Sequence, residues 1–120
     1  MSKGRAARLK GHNFEREIAN LIKEIDPTAR RNVSESQSGS FDILTALPFA
    51  IQCKCFSRWH VTPHSVLDQA IEHAKEKIPV GIVRISNKRP DLAIIRLQDF
   101  VGILREFYAE KKDTNSDSSP

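Results

Sequence analysis

The stretch Phe49-Ala-Ile-Gln52-Cys-Lys54-Cys-Phe56 is apolar except for one glutamine and one lysine two positions apart. In an extended strand successive side chains point to opposite faces, so Gln52, Lys54 and Phe56 share one face while Ile51, Cys53 and Cys55 share the other. A lysine on a strand this apolar requires a carboxylate or another anion close by, because burying an unpaired charge is costly. Asp42, ten residues upstream of Gln52 and twelve of Lys54, is the nearest candidate in sequence. An aspartate on one strand beside a polar residue and a lysine on the next offers oxygen ligands to a hard cation such as Mg²⁺. Such an ion offsets charge on a phosphate and lowers the pKa of a bound water, and Lys54 would orient that water. Glu15, further upstream, can add a second carboxylate.

The elements that must carry these residues follow from periodicity. Phe14, Ile18, Leu21, Ile22 and Ile25 recur at helical spacing after Asn13, a capping residue, until Pro27 ends the pattern. Residues 29–33 read as a short strand, and 34–40 as a polar loop with a turn at Gly39. Residues 41–46 and 49–56 read as two strands about Leu47-Pro48. Pro63 and Ser65 open a second helix, with Ser65 and Asp68 at capping-box-like spacing, which runs until Pro79. Strands are expected over 80–85 and 92–97, and a last helix capped by Asp99. The order is α-β-β-β-α-β-β-α, an α/β domain with a mixed sheet and flanking helices. Residues 1–10 read as a flexible basic arm, 11–110 as a single domain and 111–120 as a disordered tail.

This order, with Asp42 followed by Gln52-Cys-Lys54, resembles the D…(D/E)-x-K signature of the PD-(D/E)XK nuclease superfamily, whose restriction-endonuclease-like core is α-β-β-β-α-β. Lys10-Gly-His-Asn-Phe-Glu15-Arg16-Glu17 resembles more particularly the K-G-x-x-x-E-R-E opening of archaeal and phage Holliday junction resolvases. The resemblance spans roughly residues 10 to 100 and includes an arginine at position 30 or 31 and a serine- and glycine-containing loop ahead of Asp42. It implies that Glu15, not Glu17, is catalytic with Asp42, Gln52 and Lys54, and that Glu15, Asp42 and Gln52 hold the metal. It further implies a Mg²⁺-dependent endonuclease, with Mn²⁺ as a substitute, that acts on branched DNA as a homodimer and leaves 5′-phosphates. Lys10, Arg16, Arg30, Arg31, Ser40 and Gln69 are the DNA-contacting candidates, with Lys88 and Arg89 as further phosphate contacts. One departure matters: the second acidic position of the signature holds Gln52. Its carbonyl can still ligate a metal, but a negative charge is lost and cation affinity falls. The alternatives are a phage or restriction-type endonuclease acting on other DNA, and a DNA-binding protein without catalysis.

Composition agrees with a polyanion partner. A formal charge of +4 and four cationic residues within positions 1–10 make a basic footprint, which taken alone discriminates weakly. With 39% hydrophobic and 28% charged residues the chain is of the folded globular kind, and 120 residues leave room for one core. No apolar run is long enough for a membrane span or signal peptide, so a cytoplasmic location is expected. Cys53 and Cys55 are too close along a strand for an unstrained disulfide and read as reduced core thiols. With His60 and His64 they form a C-x-C-x4-H-x3-H pattern that fits none of the common zinc fingers. Trp59 reads as a packing residue. Phe100, Phe107 and Tyr108 exceed what one core face of the last helix needs and are candidates for the surface of a second copy.

Overall fold

The computed structural model describes residues 3–33 and 41–117. Eight elements follow one another: α1 (Lys3–Ile22), β1 (Arg30–Arg31), β2 (Ile43–Leu44), β3 (Phe49–Phe56), α2 (Pro63–Ala74), β4 (Ile78–Ile85), β5 (Leu92–Ile94) and α3 (Leu97–Asp117). The strands form one five-stranded sheet in the order β1-β2-β3-β4-β5. Only β3 and β4 are parallel, paired from Phe49↔Ile78 to Phe56↔Ile85, as a β-α-β connection through α2 requires. The other three pairs are antiparallel. The α/β class and the element order read from the sequence hold, and Lys54 lies on a central strand.

Each face of the sheet carries a helix. Phe14, Ile18 and Ala19 of α1 pack on Ile43, Ile51, Cys53 and Val80. Burying such side chains contributes roughly 1.5–3 kcal/mol apiece for the larger ones, which fixes α1 against the odd-numbered face of β3. On the other face Val66, Leu67, Ala70 and Ala74 of α2 are buried. There α2 lies so close that the Val66 Cγ1 atom would sit 3.0 Å from a Cβ at Gly81.

Several boundaries differ from the sequence reading. Residues 3–10 are not a flexible arm: α1 begins at Lys3 and passes through Asn13 without a cap. Arg5, Ala6, Arg8, Leu9 and Lys10 are good helix formers, and no proline interrupts them, so the packed half of the helix propagates toward the N-terminus. The cap of α2 is Thr62, whose Oγ1 accepts from the Ser65 backbone N–H at 3.2 Å; Ser65 is three residues inside and returns its hydroxyl to the Thr62 carbonyl. Pro79 does not end α2, which stops at Ala74 with Lys75 at φ 52°; it lies inside β4. Asp99 lies in the first turn of α3 and accepts from Arg96 Nε at 2.7 Å. Residues 111–117, expected to be disordered, continue α3, with Lys111 over the Phe107 ring and Lys112 over the Tyr108 ring one turn earlier. The loop over 34–40, with Ser40, lies outside the described residues.

No helix among the described residues is long and apolar enough to cross a membrane. On α3 an apolar stripe remains exposed, from Leu97 (76%) through Phe100 and Leu104 to Phe107 and Tyr108 (64%).

Candidate active site

Asp42 sits one residue ahead of β2, where its backbone N–H donates to the Ile51 carbonyl at 3.1 Å. Its side chain then takes over from the ladder: the Cys53 backbone N–H donates to Asp42 Oδ2 at 2.7 Å. The bond fixes the carboxylate against β3 beside Lys54. Burial raises the Asp42 pKa above the ordinary carboxylate value, while the Cys53 N–H and the Lys54 charge pull it back.

Glu15 reaches the same place from α1. It lies one residue after Phe14, whose ring is buried in the core, so the helix is locked in rotation and Glu15 emerges beside the sheet. Burial first and the Asp42 charge second raise its pKa; His12, three residues earlier on the helix, and Arg31 lower it. Arg31 of β1 stands 3.5 Å from Glu15 Oε2. Two carboxylates thus repel one another, with Arg31 on Glu15 and Lys54 beside Asp42, an arrangement that costs free energy until a further positive charge enters.

Lys54 and Gln52 come from β3. Gln52 is 4% exposed and pairs in the sheet with Gly81. Between them Cys53 points the other way, into the core under α1. Burial, reinforced by the Asp42 and Glu15 charges, pushes the Cys53 thiol well above its usual value. Cys53 is therefore a neutral packing group and no nucleophile.

Beside these residues a recess of about 410 Å³ opens under α1, lined by Lys10, Gly11, the run from Cys53 to Ser57, and His60. Lys10 donates to Ser86 Oγ after β4, which ties the first half of α1 to the sheet. His60 presents its ring edge-on to Phe56 with centroids 5.2 Å apart, and its Nδ1 bonds the Arg58 carbonyl at 2.9 Å. Trp59 also packs edge-on against Phe56 but stays 40% exposed.

The fold thus brings together Glu15, Asp42 and Lys54, with Gln52 on the same strand, Arg31 on Glu15 and Lys10 at the rim. Arg16 instead turns to Asn13 at 3.2 Å on the exposed side of α1. Arg30 and Gln69 are exposed, Gln69 on the solvent side of α2. Lys88 is exposed, and Arg89 pairs with Asp91. The sequence reading missed His12, although its spacing of three from Glu15 on a helix was available, and the Cys53 backbone N–H, which no residue type announces. It also missed Arg84, which joins Asp91 through two hydrogen bonds of 2.9 and 2.8 Å and Glu17 at 2.7 Å, and lies over the Phe14 ring. Glu17 is thereby committed to the ion pair with Arg84.

Cys53 and Cys55 are both free thiols. Among the described residues no three His, Cys, Asp or Glu side chains gather as metal ligands, so the zinc pattern has no structural counterpart there. The two carboxylates that interact here, Glu15 and Asp42, offer hard oxygens suited to Mg²⁺, which is commonly held by one or two carboxylates with waters and substrate phosphate completing the shell, while Gln52, in register with Gly81, lies on the face of β3 turned to α2. Comparison with protein-family models, with curated proteins and with solved structures returns no match.

Proposed function

We propose that this chain is a metal-dependent DNA endonuclease, similar to the Holliday junction resolvases and sharing their restriction-endonuclease-like core. The observation that carries the reading is the convergence of Glu15, Asp42 and Lys54, from α1, the start of β2 and the central strand β3, with both carboxylate pKa values raised. Glu15 and Asp42 would hold Mg²⁺ or Mn²⁺, and the Gln52 carbonyl would be the weaker third oxygen. Once bound, the ion supplies Lewis-acid activation of the phosphate and of an attacking water.

The chain's own residues then have separable tasks. Lys54 orients the water and offsets the charge that grows on the phosphate oxygens. Arg31 holds Glu15 in place, and Lys10 offers a cation to the phosphate backbone. The water oxygen bonds to phosphorus, the bond to the 3′ oxygen breaks, and the products are a 5′-phosphate and a 3′-hydroxyl. Pairing of two copies, to cut two strands of a four-way junction, belongs to the same reading. The exposed Phe100, Phe107 and Tyr108 are apolar surface that a second copy would cover.

The test is cleavage of a labelled four-way junction and of linear duplex with the same sequences, in Mg²⁺ and in Mn²⁺, by the chain and by Gln52→Glu and Asp42→Asn. Paired nicks confined to the junction, stronger in Gln52→Glu and lost in Asp42→Asn, support the reading. Equal cutting of duplex replaces the junction by a less selective substrate. Binding without cutting by every variant favours the second reading, a DNA-binding protein, which Gln52 at the acidic position supports.

A further inference from the structure

On α1 the residues Gly4, Gly11 and Ile18 recur every seven positions, so they lie along one line of the helix. Ile18 on that line is buried against the sheet. Gly11 and Gly4, two and four turns further toward the N-terminus, meet nothing within 4 Å where a Cβ would stand. The first half of α1 therefore overhangs open space on the side that faces the sheet further along.

Basic side chains, two arginines and a histidine, occupy that half of the helix. Arg5, Arg8 and His12 follow one another at spacings of three and four and lead to Glu15, three residues on. Lys10 lies at the rim of the recess below, together with Lys54, and Phe56 and His60 supply aromatic walls. Bare glycine on a helix lets another backbone approach closely. Cations with aromatic rings are the combination that holds an unpaired nucleic-acid strand, through its phosphates and its base faces.

We infer that the underside of the α1 overhang, with the recess beneath Lys10 and Gly11, is a groove for one unpaired DNA strand that leads to the Glu15–Asp42–Lys54 site. The ligand's identity rests on the nuclease reading above, and the inference deepens it: a strand unpaired at the branch point enters the groove next to the bond that is cut. A duplex, wider than one strand, stays outside the overhang.

The experiment measures binding of a labelled thymidine oligonucleotide of about sixteen residues, without divalent metal, against a blunt duplex of the same length, for the chain, Gly11→Ala, Gly11→Leu and the pair Arg5→Ala with Arg8→Ala. Leucine is a better helix former than glycine, so Gly11→Leu fills the groove while Tm stays level or rises. The expected result is a loss of affinity for the oligonucleotide that grows with side-chain size, about tenfold or more for leucine, with little change for duplex. For the arginine pair the salt slope on the single strand drops by about 1.4, near 0.7 for each phosphate that is no longer neutralised. Unchanged oligonucleotide affinity in Gly11→Leu, equal losses on duplex, or no oligonucleotide binding by the original chain overturns the groove. If Gly11→Leu fails to fold, the arginine pair's salt slope decides. Metal-free binding is independent of cleavage: a chain that binds through the groove and never cuts defeats the nuclease, and one that cuts regardless of Gly11→Leu defeats the groove.

Discussion

The Cys53 backbone N–H donates to Asp42 Oδ2 across 2.7 Å, so one bond holds the candidate metal ligand and closes the ladder between β2 and β3. The two roles separate by substitution. Asp42→Asn keeps an oxygen for the N–H but removes the charge, and cleavage should fall by about a hundredfold or more, since metal-held charge stabilisation is worth several kcal/mol. Asp42→Ala leaves the N–H without its partner and should cost about 1–3 kcal/mol in urea unfolding as well. Equal cleavage by Asp42→Asn and the original chain defeats the assignment.

Glu15 makes a prediction about pH and metal together. Its pKa is raised in the folded chain, so folding favours its protonated form. The resulting penalty is fully present above the folded value and vanishes as pH falls through it toward the unfolded value, near 4.5. Glu15→Gln should accordingly raise Tm at pH 7 and lose that advantage below pH of about 4. Mg²⁺ should raise the Tm of the original chain at pH 7 and leave Glu15→Gln nearly unmoved. Differential scanning calorimetry across pH, with and without Mg²⁺, checks both signs.

Asp26 predicts the opposite slope. Just past the end of α1, its two oxygens accept from the Thr28 hydroxyl at 2.6 Å, the Thr45 hydroxyl at 2.6 Å, the Ala46 N–H at 2.8 Å and the Thr28 N–H at 3.0 Å. These bonds, led by the Thr28 hydroxyl, hold its carboxyl well below the usual range. The stability it contributes is present above the unfolded value of 3.8 and fades as pH falls through the folded one. Asp26→Asn should lower Tm at pH 7, and the gap between the two proteins should narrow steadily in acid. A gap independent of pH would mean that shape, not charge, matters at this position.

Arg84 carries the far end of the sheet. It joins Glu17 of α1 to Asp91 ahead of β5 and lies 4.6 Å from the centre of the Phe14 ring. Arg84→Ala should cost on the order of 2 kcal/mol in equilibrium unfolding, because a fork held by two carboxylates is removed together with its packing. Arg84→Lys should recover only part of this, since an ammonium cannot bond bidentately. Junction cleavage at a temperature where both variants are folded should be little changed.

What was legible in the sequence was what depends on neighbours along the chain. The alternation of β3 placed Lys54 and Gln52 on one face, and the apolar spacing of Phe14, Ile18 and Ile22 gave α1 its buried side. The start of α1 was misplaced because Asn13 has the chemistry of a cap, yet the residues before it favour helix as much as those after it. Asp26 drew no notice in the sequence, since its partner Thr45 is nineteen residues away. Arg84 went unnoticed for the same reason, its partners Glu17 and Asp91 being fixed only by the fold. Strands β1 and β2 are shorter than expected, with two residues each. Within the candidate site the residue types were visible, but which oxygen meets which N–H is set only by the register of β2 on β3.

Gly81 gives the layered design a fixed gauge. It pairs in the sheet with Gln52, and the 3.0 Å clearance to Val66 means that its missing side chain sets how far α2 stands from the strand that bears Gln52 and Lys54. The methyl of Gly81→Ala meets the Val66 side chain more tightly than ordinary contact, so that side chain must give way, and anything larger must move the helix. Activity in a library of variants at position 81 should therefore fall as the side chain grows, and the spacing between two layers becomes a quantity that selection can tune at one codon, without touching a residue of the candidate site.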